Sequence, residues 1–227
     1  MEWGQDLVDQ LDLALNESQV CGLRFDAGAA EARLLLEVLA LPEAGPIDRD
    51  PRRVLVLAGV SSIEVVLRAD RDGALGPVLP LESLDALERF FASLGQADAM
   101  YGWSFIDRDS AGEVWNVAAS LAAASSEPQA AGHTLHWFIE CGRPGPGEDW
   151  ERFLVQGVIR FGSLRIERAD GRPVPLEEFL ADARRWWDAF ERRDARLSAD
   201  AQRQAQAGAA SWRSWDGSSV MVPGRLS

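Results

Sequence analysis

Two alternating runs constrain most strongly what this chain can fold into. In His133, Leu135, Trp137, Ile139 and Cys141 every second residue is largely apolar, and Phe153, Val155, Gly157, Ile159 and Phe161 repeat that period. A period of two marks β-strands, whose side chains alternate between the faces of a sheet. The intervening positions carry His136 and Glu140 in one run and Gln156 and Arg160 in the other. One face therefore suits a core and the other tolerates water, which favours an antiparallel sheet.

The stretch continues with a third extended run, Ser163 to Ala169, and an Asp170-Gly171 turn. Beyond it the period changes. Leu176, Phe179, Leu180, Ala183, Trp186, Trp187 and Phe190 recur at three- and four-residue spacing, with Pro175, Glu177 and Glu178 at the start and Arg192, Arg193 and Arg196 near the end. That pattern predicts an amphipathic helix whose charges match its dipole.

A fainter version of the same plan occupies Val20 to Leu94, preceded by a helix predicted over residues 3–16 from Trp3, Leu7, Leu11 and Leu15. Strands are expected over 21–25, 33–41, 53–58 and 63–68, with a reversal or bulge at Gly59 and an exposed loop over 42–51. Residues 75–80 read as a proline-flanked connection, and Leu81, Leu84, Leu87, Phe91 and Leu94 mark a helix closed by Gly95. In the second half, Tyr101, Trp103 and Phe105 followed by Trp115, Val117, Ala119 and Leu121 read as a hairpin. Gly22 and Phe25 match Gly102 and Phe105, and the Arg-Ala-Asp of Arg68 to Asp70 recurs at Arg168 to Asp170. The expectation is an α+β protein of two tandem antiparallel sheet units, an internal repeat, each followed by an amphipathic helix and with an N-terminal helix in front. Residues 1–95 form the first unit, 96–197 the second, and 198–227 a helix extension and flexible tail.

Charge narrows the function. The 227 residues hold 36 acidic against 23 basic side chains, a net charge of −13, which opposes binding to nucleic acid or to an anionic lipid surface. Every basic residue is arginine, so lysine Schiff-base chemistry and the lysine-dependent phosphate loops are excluded. No apolar run reaches the roughly eighteen residues of a membrane span, and no export signal is read at the start of the chain. Cys21 and Cys141 are 120 positions apart, which reads as two buried free thiols in a reducing cytoplasm rather than a disulfide or metal site.

No catalytic, metal-binding or cofactor motif emerges. His133 and His136, the only histidines, fall on opposite faces of one strand and cannot easily share a metal. His136 and Glu140 share a face but lie roughly 13 Å apart at ~3.3 Å per residue. The Pro-Gly run after Cys141 lacks the donors of a phosphate loop and reads as a hairpin loop. Nine tryptophans stand against one tyrosine. Trp137, Trp186 and Trp187 fit the core, whereas Trp103, Trp115 and Trp150 are candidate anchors for a partner.

The leading expectation is thus a cytoplasmic, non-catalytic interaction module whose acidic surface engages a basic protein, in the manner of an immunity protein or an adaptor, with a homodimer as a further form of association. The alternative is a ligand-binding protein or enzyme with a cleft between the units, in which carboxylates such as Glu140 would supply acid-base chemistry and Arg160 or Arg165 would hold an anion, with His136 a further binding candidate. A cleft with carboxylates of shifted pKa separates the two.

Overall fold

The structure, a computed structural model, describes residues 3–71, 74–94, 96–97, 104–106, 119–124, 132–145 and 150–198. The α+β class holds. Helix α1 (Gln5–Leu15) opens the described chain, followed by β1 (Gln19–Asp26), β2 (Glu31–Glu37), β3 (Arg52–Ala58), β4 (Ser62–Arg71), β5 (Ala74–Leu79) and α2 (Leu84–Ala92). The short strands β6 (Gln96–Ala97), β7 (Ser104–Ile106) and β8 (Leu121–Ala124) precede the long pair β9 (His133–Pro144) and β10 (Trp150–Phe161). Then come β11 (Ser163–Arg168), β12 (Pro173–Val174), α3 (Leu176–Glu191) and a 3-10 turn at Ala195–Leu197.

Two antiparallel sheets result. The first runs β1-β2-β3-β11-β12 and the second β5-β4-β10-β9-β6, with β7 also on β9 and β8 also on β4. Each sheet draws strands from both sides of residue 95, so the tandem division expected from sequence is not a division between sheets. The exchange occurs at two crossovers. Gly59, at a φ of 67° that suits glycine, carries the chain from β3 in one sheet to β4 in the other rather than reversing it within a sheet. Gly162 carries β10 into β11 in the opposite sense. The crossovers hold each other: the Ser61 N–H donates to the Arg160 carbonyl and the Gly162 N–H to the Ala58 carbonyl, both at 2.9 Å.

The predicted inner faces form one core. Leu34, Leu36, Leu55 and Leu57 of the first sheet join Leu135, Trp137, Ile139, Val155 and Ile159 of the second in a single buried cluster. Leu11 and Leu15 of α1, Leu87 and Phe91 of α2, and Phe179 and Ala183 of α3 complete it. Full burial of a leucine side chain contributes about 2 kcal/mol of transfer free energy, so this cluster is the main source of cohesion.

Other expectations shift. Residues 75–80 are not a connection: β5 pairs with β4, and Pro77 is tolerated there because β5 has only that one neighbour. Most of the hairpin expected over 101–121 lies outside the described residues; of its described portions, β7 pairs with β9, and Leu121 begins β8, which pairs with β4. The helix extension and tail expected over 198–227 fall outside the described residues beyond Ser198.

The outer face of the first sheet is sealed by ion pairs. Arg33 and Arg165 flank Val56 on either side. Arg33 reaches Glu167 at 2.5 Å and Glu31 at 3.0 Å, and Arg165 reaches Glu31 at 2.8 Å and Glu167 at 3.0 Å. These four side chains lie across β3, where Val54 and Val56 are almost fully buried. The loop after β2 is fastened by Asp48, which accepts from Arg53 at 3.2 Å and Arg168 at 2.9 Å.

Candidate functional site

Among the residues singled out from sequence, the structure does not assemble one site. Trp103 and Trp115 lie outside the described residues, and of Trp150 only its place at the start of β10 is described. His136, Glu140 and Arg160 share the outer face of the second sheet. Arg160 is already committed, with Nη1 donating to Glu64 Oε1 at 2.8 Å and to Ser62 Oγ at 3.0 Å on β4. His136 stands opposite Val158, next to Arg160 on the diagonal, and burial lowers its pKa and keeps the imidazole neutral. Glu140 stands opposite Leu154, six residues from Arg160 along β10, which is roughly 20 Å at ~3.3 Å per residue. The proposed acid, base and anion holder are therefore not convergent. Between them Thr134, Val66 and Val158 are buried, so this face is not an open cleft at its centre.

The tryptophans also divide differently. Trp137 is completely buried, as expected, with its indole over Gly157 of the neighbouring strand. Trp186 and Trp187 are only partly buried. They sit on the outer side of α3, where the Trp187 indole N–H donates to the Leu13 carbonyl of α1 at 3.2 Å and Trp186 stacks on Phe190. Phe190 is 58% exposed. The cysteines differ as well: Cys141 is buried and Cys21 exposed. Despite that exposure, desolvation of the Cys21 sulfur, with Glu37 as the next cause, pushes the thiol up to about 12, so it is not a nucleophile near neutral pH.

A concavity among the described residues lies at the crossover between the sheets. It has a volume of about 320 Å³. The end of β1 contributes Phe25 and Asp26, the β1–β2 turn and β2 contribute Ala30 and Glu31, the crossover contributes Val60 to Ile63, and Leu84, Ala123 and Ala124 close it from α2 and β8. Its lining is mainly apolar, with the carboxylates of Asp26 and Glu31 and the hydroxyls of Ser61 and Ser62 among it. Desolvation pulls the Glu31 pKa upward, but hydrogen bonds from Arg165 and Arg33 outweigh it and hold the carboxyl below its ordinary range. Asp26 Oδ1 accepts from the Ala29 N–H at 2.9 Å. Glu31 is thus a fixed anion, unsuited to giving or taking a proton near neutral pH.

This concavity has no signature in the sequence, because its walls come from five elements far apart in the chain. The one local sign was Gly59, read as a reversal within a sheet and not as a passage between sheets. Among the described residues there is no group of three or more His, Cys, Asp or Glu placed to hold a metal ion. No described helix is long and apolar enough to cross a membrane. Comparison with family models, with curated proteins and with solved structures returned no match.

Proposed function

We propose that this protein is a non-catalytic interaction module whose acidic surface engages a basic protein partner. The observation that supports this reading is the chemistry of the crossover concavity, where an apolar lining is edged by carboxylates and Glu31 is locked in its ionised form by two arginines. Such a surface suits apolar groups, with Asp26 left to meet a cationic one, and it is not suited to transferring protons. The exposed Phe190 on α3 and the exposed Asp6 and Asp9 on the adjoining α1 repeat that combination elsewhere on the molecule. At a net charge of −13 the field around the molecule speeds encounter with a cationic partner and opposes anionic ones.

Binding of a small ligand is the second reading, favoured by a concavity that falls at the lower end of the usual range for ligand sites, about 300–1,000 Å³. One capture experiment separates the two. Tagged protein is incubated with an extract of its own source, and a triple variant with Asp6, Asp9 and Asp12 changed to Asn is run beside it. A basic polypeptide retained in stoichiometric amount, released by salt and held less by the variant, supports the interaction reading. Recovery of the protein alone contradicts it and favours the ligand reading.

A further inference from the structure

We propose that the crossover concavity is a receptor for an aromatic side chain, supplied by a protein partner and flanked there by basic residues. The proposal rests on the interaction reading above and names the chemistry of that contact.

Strand registers relate the two halves of the molecule. Ser163 faces Ala58 in the first sheet as Ser62 faces Arg160 in the second. Ser62 and Ser163 are therefore counterparts, and so are Ala58 and Arg160. Burial follows the same correspondence, with Ile63 and Val65 inward on β4 and Leu164 and Ile166 at the matching places on β11. On the next strands Arg33 faces Val56 and His136 faces Val158, which makes Arg33 the counterpart of His136 and Leu34 that of Trp137. Phe25 faces Ala32 and Phe105 faces Leu135, extending the match to β1 and β7. The two crossovers hydrogen-bond each other reciprocally, as elements related by a two-fold axis do. The halves are thus strand-exchanged counterparts within one chain.

Following these registers to the crossover sets Ala30 against His133 and Gly59 against Phe161, so that glycine stands where the second half carries a ring. In the second half, His133 and Phe161 face each other across β9 and β10, and the place beside them is filled: Trp3 stacks on His133 at 3.7 Å and 17° and packs against Phe161 at 5.9 Å. In the first half the crossover is held to Ala30 by the Val60 N–H, which donates to the Ala30 carbonyl at 2.8 Å, and the place beside them is the open concavity. Among the described residues no helix precedes β7 as α1 precedes β1. Among the described residues, one of two matching sites is therefore filled from within, and the other, with smaller walls and Phe25 at its side, has room for a ring.

Two features choose the occupant. The filled site takes an indole from the beginning of an amphipathic segment, which is how a peptide side chain enters, and tryptophan is the residue that most often anchors such contacts. The Asp26 carboxylate and the overall charge of −13 favour cationic neighbours on that segment.

The test is a methyl NMR titration of the whole chain with three probes: acetyl-Arg-Trp-Arg-amide, acetyl-Arg-Ala-Arg-amide and acetyl-Trp-amide. The tryptophan tripeptide is expected to shift the methyl signals of Val60, Ile63, Leu84 and Ala123 saturably and to bind at least about tenfold more tightly than the alanine tripeptide. Val60→Phe, which places a ring in the concavity, should abolish these shifts while leaving the Ile159 methyl signals of the second sheet in place. Ala124→Phe, at an exposed position on the rim, tests the same blockade without touching the core. Equal binding of the two tripeptides overturns the proposal, as does a titration that both blocking variants leave unchanged. Acetyl-Trp-amide binding as tightly as the tripeptide also overturns it, in favour of a free aromatic ligand. A salt-released basic partner still captured by the blocked variants would leave the interaction reading standing and this site refuted.

Discussion

Gly157 and Trp137 show how a single position sets the packing of a sheet. They face each other across β9 and β10, and a Cβ at residue 157 would overlap the Trp137 indole ring. The glycine is there for space. Gly157→Ala is therefore expected to destabilise the protein by about 2–3 kcal/mol, measured by urea denaturation, because the fully buried indole has no room to retreat. Gly162→Ala is the control: its added Cβ would meet the Ala58 carbonyl at an ordinary 3.5 Å, and a change below about 0.5 kcal/mol is expected. His136 gives a second prediction. Burial lowers its folded pKa below the ordinary 6.5, so in the window beneath 6.5 the unfolded chain binds more protons. Stability from this residue is complete above 6.5 and is lost as pH falls toward and through the folded pKa. Thermal melts between pH 7 and pH 5 should show a steeper loss for the native chain than for His136→Gln; equal slopes would refute that role. At this scale the alternating core residues were legible in the sequence. The Gly157 contact was not, because the pattern gives a face and not the cross-strand partner that a register supplies.

The elements show which local rules survived tertiary folding. α2 lies against β1, and the Glu88 carboxylate accepts from the Phe25 N–H of that outer strand at 2.5 Å. This contact occupies a main-chain donor that an edge strand would otherwise present to other chains. Glu88→Ala should cost about 1–2 kcal/mol in denaturation and speed exchange of the Phe25 amide, whereas a change confined to global stability would argue against the contact. The helices were readable because apolar residues three and four apart line up on one face of a helix and scatter over both faces of a strand. Strand β5 was not, since Pro77 and Gly76 signal a connection whenever the single-neighbour position of the strand is unknown. The pairing of β7 with β9 and of β8 with β4 was not legible for a related reason: alternation identifies strands without saying which strands they join.

For the whole molecule, the decisive fact is that strands change sheets. The sequence reads as two similar halves and invites a boundary at residue 95, yet β4 and β5 complete the sheet of β9 and β10 while β11 and β12 complete that of β1 to β3. The short echoes fare unequally. The match of Phe25 to Phe105 agrees with the strand registers, Gly102 lies outside the described residues, and the Arg-Ala-Asp match falls one residue away from the pairing of Ser62 with Ser163. A concavity at such a crossover has no linear signature, and for that reason Trp103, Trp115, Trp150, His136, Glu140 and Arg160 attracted notice while Phe25, Ala30 and Val60 did not. The concavity exists only because the two sheets share strands from both halves. Native-state amide hydrogen exchange followed residue by residue tests this directly, because strands that support one another open together. The account predicts that β3 and β11 exchange as one unit, that β4 and β10 do the same, and that all four reach the global unfolding free energy. Two cooperative units divided at residue 95, with β4 opening independently of β10, would contradict it.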